Sequence, residues 1–107
     1  MSDPRSYTAE EMREQFLRHL HVMAEYWADL PDHSPREKCD GLAFSILVAF
    51  DGGAMSLPAM DIVMRPHKDD KAFSIGNSEN WVEDGQVIND CQLHERWHRQ
   101  PPMEPEI

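Results

Sequence analysis

Residues 35–53 read PREKCDGLAFSILVAFDGG, and the apolar run at 42–50 inside them fits two secondary structures. Cys39, Leu42, Ala43, Ile46, Leu47 and Phe50 recur at spacings of 3, 1, 3, 1 and 3, which places them on one face of an α-helix. Phe44, Val48 and Ala49 widen the apolar surface beyond one stripe, so a buried strand is the alternative, and Gly41 weakens the helix slightly. The flanks favour the helix. Ser34 is an N-cap residue, Pro35 sits at the first helical position where its missing N–H does no harm, and Glu37 completes a capping box. Gly52 or Gly53 provides the stop.

Upstream, Thr8 and Glu11 form a second capping box. Met12, Phe16, Leu20, Met23, Trp27 and Leu30 follow at spacings of 4, 4, 3, 4 and 3, and Pro31 ends that helix. Downstream, Met60, Ile62 and Met64 alternate with Asp61, Val63 and Arg65 between Pro58 and Pro66, as in a short edge strand. Residues 65–80 read as a long loop. Residues 80–87, NWVEDGQV, read as a second short strand or a turn at Asp84-Gly85, and Asn89 or Asp90 caps a last helix over about 90–99. The expected fold is therefore α+β and mostly helical. Two amphipathic helices, 8–30 and 35–51, pack on a small two-stranded element, with a short C-terminal helix. One domain spans 1–107, with frayed termini at about 1–7 and 100–107.

Twenty acidic against ten basic residues give a net charge of −10. That charge repels a phosphate backbone or an anionic lipid surface, so neither nucleic acid nor membrane is an expected partner. The absence of a long apolar segment and of a basic-then-apolar leader makes the cytoplasm the expected compartment, with Cys39 and Cys91 as reduced thiols. Cys39 falls on the apolar stripe, where a small buried hydrophobe outweighs a reactive thiol. No phosphate-binding glycine loop and no nucleophile elbow is present.

From Ala72 to Glu95 there is no Lys or Arg, while Glu79, Glu83, Asp84 and Asp90 all fall in that window. These four make a candidate acidic face for a partner with a basic surface, against the plainer reading of a solvated exterior. His94-Glu95-Arg96-Trp97-His98 matches H-E-x-x-H, in which two His one turn apart bind zinc and the Glu activates the metal-bound water. Chance supplies that pattern in roughly one sequence of this composition in thirty. A catalytic zinc also needs a third protein ligand, and only Glu104 and Glu106 follow, so His67, Asp69, Asp70, Glu79 or Cys91 would have to provide it. His67, Asp69 and Asp70 are themselves a weaker cation candidate, better explained as turn residues. Trp27, Trp81 and Trp97 read as packing before ligand contacts.

REKCDGLAFSILVAFDGG at 36–53, LPAMDIVMRPHKDD at 57–70, ENW at 79–81 and LHERWH at 93–98 resemble small uncharacterised phage- and prophage-associated proteins. The resemblance lies within residues 36–98, a region of somewhat over half of the chain. It implies a phage or bacterial origin and, by analogy, an inhibitor or adaptor of a host protein, with no site residues attached. The leading functional expectation is a non-enzymatic acidic binding module without a cofactor. The alternative is a small zinc hydrolase using His94, His98 and Glu95. Helix one, amphipathic over five turns, is also expected to pair with a second copy as a homodimer.

Overall fold

The computed structural model describes residues 3–98. Four helices supply its regular structure: α1, Ala9–Asp29; α2, Pro35–Phe50; α3, Asp70–Gly76; and α4, Leu93–Trp97. Both capping boxes close: Thr8 Oγ1 accepts from the Glu11 N–H, Ser34 Oγ accepts from the Glu37 N–H, and each Glu side chain accepts from its cap residue's N–H. The stretch 42–50 is helix, and Gly52 follows it with a φ of 90°, the left-handed conformation that ends a helix cheaply only at glycine.

The expected two-stranded element is not formed, and the described chain is all-α rather than α+β. Val63 and Val87 make a single antiparallel bridge, flanked by hydrogen bonds from the Met64 N–H to the Gln86 carbonyl and from the Ile88 N–H to the Ile62 carbonyl. The reason lies in Asn89. Its Oδ1 accepts from the Ile62 N–H at 2.7 Å and its Nδ2 donates to the Met60 carbonyl at 2.6 Å. A carboxamide thus stands where the next strand residue would pair, and the pairing stops after one bridge. Asn89 therefore does not cap the last helix, which begins later than expected, with Gln92 at its N-cap and no side-chain cap bond. Within the expected loop 65–80, residues 70–76 form α3. The C-terminal fraying expected at 100–107 lies outside the described residues.

α2 is the middle of the fold, because it carries α1 on one side and α4 on the other. Toward α1, the Trp27 ring lies against Gly41, its Nε1–H donates to Ser45 Oγ at 3.0 Å, and Phe16 meets Phe50 with ring centres 5.8 Å apart. Toward α4, Phe44 packs on the rings of His94 and His98, and Trp97 Nε1–H donates to Asp40 Oδ1 at 2.9 Å. Two partners explain why α2 is apolar beyond one stripe. They also explain why Cys39 is exposed rather than buried as expected. At about 100° per residue it points roughly 200° away from Gly41, into neither neighbour.

Burial is shallow. Among the described residues, Ala49 and Leu57 are the buried apolar side chains, and the radius of gyration is 18.1 Å against about 13 Å for a compact chain of this length. No described helix is long and apolar enough to cross a membrane.

Candidate functional site

The motif residues His94 and His98 both face Phe44 of α2, and Glu95 is exposed. His94 is held by Asp51, whose Oδ2 accepts from the His94 backbone N–H at 2.8 Å and lies 2.7 Å from its Nδ1. With Nδ1 donating to that carboxylate, Nε2 is the ring nitrogen left to act. This is the arrangement by which carboxylates orient metal-binding imidazoles, and it also serves as an ordinary packing latch. Among the described residues no three His, Cys, Asp or Glu side chains converge as a metal site. Of the upstream candidates, the His67 ring and the Asp70 carboxylate serve the turn that leads into α3: the His67 N–H donates to Asp70 Oδ2 and the Asp69 N–H to His67 Nδ1.

The four acidic candidates lie in the segment formed by α3 and the residues around the Val63–Val87 bridge. Glu83 is partnered: its Oε1 accepts from Trp81 Nε1–H at 2.7 Å and from Lys71 Nζ at 3.2 Å. The Trp81 bond first and the Lys71 contacts second hold the Glu83 carboxyl below the usual range. Glu83 and Asp84 border a cavity of about 290 Å³ with Arg65, Lys68 and Lys71, so cations from earlier in the chain return to offset them. Asp90 is exposed beyond the bridge, next to Asn89.

Glu79 borders a different cleft, of about 230 Å³, with Phe73, Trp81, Val82 and Asp70. Its apolar members are conspicuous for their exposure: Phe73 is 69% exposed, Val82 51% and Trp81 42%. Trp81 is nonetheless fixed. Its N–H is bound to Glu83, and Lys71 Nζ sits over its ring, 5.2 Å from the centre. Sequence reasoning found Glu79 and Glu83 by charge but read Trp81 as packing, and it is exposed instead. Phe73 and Trp81 are eight residues apart with a helix end between them, so no periodic spacing marks them as neighbours.

No protein-family model matches the chain, and no match was found among curated proteins or solved structures.

Proposed function

We propose that the protein is a non-enzymatic binding module that docks a basic, amphipathic segment of a partner protein on the cleft around Phe73, Trp81 and Val82. The observation that carries this reading is an exposed tryptophan held in one orientation by Glu83 and Lys71, beside Glu79 and Asp70. Aromatic side chains fixed before binding lose little entropy on contact and are the usual anchors of interfaces, while acidic groups at the rim steer and select a basic partner. In the phage setting that the sequence resemblance implies, the partner is a host protein.

A panel of Lys/Leu amphipathic peptides titrated by calorimetry tests it. Trp81→Ala is expected to weaken binding at least tenfold, and Glu79→Lys to weaken it and flatten its salt dependence. If no peptide binds, or Trp81→Ala binds like the parent, the cleft is not a docking surface.

The zinc hydrolase is a second reading, and the Asp51–His94 hydrogen bond is the observation in its favour. His94→Ala cannot test it, since that change also unlatches α4 from α2. Elemental analysis with His98→Ala and Glu95→Gln does: about one zinc per chain, lost in His98→Ala, with hydrolysis lost in Glu95→Gln, would establish it.

A further inference from the structure

We infer that the cavity where the C-terminal end of α1 and the N-terminal half of α2 meet the end of α4 binds an organic cation of the alkylammonium class. The cavity measures about 290 Å³ and is lined by the rings of Trp27, His33, Phe44 and His98, with the carboxylates of Glu37 and Asp40 among them. An ammonium wrapped in alkyl groups is attracted both by aromatic rings, through their quadrupoles, and by carboxylates.

The walls are held in place by bonds that a ligand would not disturb. Trp27 Nε1–H donates to Ser45 Oγ at 3.0 Å, and His33 Nδ1–H donates to the Pro31 carbonyl at 2.8 Å. These two rings stand almost perpendicular, at 83°, with centres 6.5 Å apart, as adjacent sides of a box do. Phe44 packs on His98 with centres 5.3 Å apart. Asp40 Oδ1 accepts from Trp97 Nε1–H at 2.9 Å, and Glu37 Oε1 accepts from the Ser34 N–H at 2.9 Å. In each carboxylate the other oxygen takes no hydrogen bond among the described residues. Side chains already fixed in this way lose little freedom when a ligand enters.

Charge selects a cation over a neutral apolar guest. Among the described residues no Lys or Arg lines this cavity, and neither Glu37 nor Asp40 makes an ion pair. Lys38, next to Glu37 in sequence, is engaged instead by the Ala28 carbonyl, 2.7 Å from its Nζ. The cavity beside Glu83 and Asp84 is the contrary case, because Arg65, Lys68 and Lys71 line it and offset the carboxylates. A bare metal ion fits poorly here. It needs ligand atoms that converge on one point, and no three His, Cys, Asp or Glu side chains do so among the described residues. An alkylammonium touches separate walls, with its alkyl shell on the rings and its charge toward the carboxylates. The site shares no residue with the cleft at Trp81 and does not rest on docking there.

The test is a titration of the full chain with choline, followed by amide and indole N–H NMR at about pH 7.5, above the ordinary imidazole range. Choline is expected to move the Trp27 indole N–H and the Asp40 and Gly41 amides saturably in the millimolar range. Its uncharged analogue, with a tert-butyl group in place of trimethylammonium, is expected to leave them in place, as is sodium chloride at equal ionic strength. Glu37→Gln and Asp40→Asn remove charge but keep the Ser34 and Trp97 hydrogen bonds, so each is expected to weaken choline about two- to fivefold and both together about tenfold. Phe44→Leu keeps apolar bulk without the ring and is expected to weaken it about threefold. Trp81→Ala is expected to bind choline like the parent, which separates this cavity from the docking cleft. Butylammonium titrated alongside tells a lysine-like amine from a methylated ammonium by which binds more tightly, and either order supports the class. No saturable shift at these positions, an equal response to the uncharged analogue, or a doubly substituted Glu37→Gln, Asp40→Asn protein that binds like the parent would each overturn the assignment.

Discussion

Asp51 receives two hydrogen bonds from a single residue: the His94 backbone N–H and the His94 imidazole both donate to its Oδ2, and its side chain has no exposed surface. The position is an unfavourable one for an acid, because Asp51 is the C-cap of α2, where the helix dipole presents its negative end. Burial pushes its carboxyl up, but the donations from the His94 N–H and imidazole, with the nearby Leu93 backbone, outweigh that and hold it below the ordinary range. The two charge-assisted bonds converge on Oδ2, while Oδ1 is buried without a hydrogen-bond partner among the described residues. Asp51→Ala is expected to destabilise the protein by about 2–3 kcal/mol, since it leaves a partly buried backbone N–H without an acceptor. Asp51→Asn keeps one acceptor oxygen and is expected to recover part of the loss. Urea unfolding gives the energies, and hydrogen exchange at the His94 amide shows whether α4 is what comes loose. An Asp51→Ala protein as stable as the parent would mean that α4 is held by Phe44 and Trp97 alone.

Gly41 lets the Trp27 ring of α1 lie directly on α2. A Cβ built there would lie 2.3–2.5 Å from three atoms of the Trp27 six-membered ring, closer than any atoms can pack. Ala is the better helix former by about 1 kcal/mol, so propensity alone predicts that Gly41→Ala stabilises. Packing predicts the opposite, because the indole must move off α2 and give up its bond to Ser45. Overpacking of this kind costs about 1–3 kcal/mol, and the net expectation is destabilisation. A red-shifted tryptophan emission in Gly41→Ala would report the displaced indole. A stabilised variant with unchanged emission would show that the helices separate without penalty.

What could be read from the sequence was local. Thr8 with Glu11 and Ser34 with Glu37 are contacts three residues apart, and the helices they start lie where the apolar spacing places them. Gly41 looked like a flaw in α2 because its reason, Trp27, is fourteen residues away on another helix. Asn89 looked like a helix cap because an Asn before an apolar run usually is one, and nothing local shows that its amide reaches back to Met60 and Ile62. The same holds for the candidate site. An acidic window without cations was real in sequence, but Lys71 folds back twelve residues to Glu83 and removes part of its charge from the surface. His94 could be named from its motif, whereas its partner Asp51, forty-three residues earlier, could not.

Acid should weaken the start of α1. The Glu11 carboxyl is lowered to about 2, chiefly by the paired hydrogen bonds from Arg5 at 2.8 and 3.0 Å and then by the Thr8 backbone N–H. Glu37 is lowered chiefly by its cap, through the Ser34 backbone and then its hydroxyl. A folded value below the unfolded one means that the ionised form favours the folded state. This contribution is complete above the ordinary carboxylate value, about 4.3, and fades as pH falls toward 2. Protonation of other carboxylates works the other way by relieving the self-repulsion of a −10 chain, so the overall stability curve alone does not isolate the caps. The comparison that does is Glu11→Gln against the parent. Their difference in helix circular dichroism stability is expected to be constant from neutral pH to about 5 and to close between about 4.5 and 2. In Arg5→Ala, carboxyl NMR should show the Glu11 titration moved up toward the ordinary value, stopping short of it because Thr8 still donates. A Glu11 that titrates normally in the parent protein would mean that neither the capping box nor the Arg5 pair forms in solution.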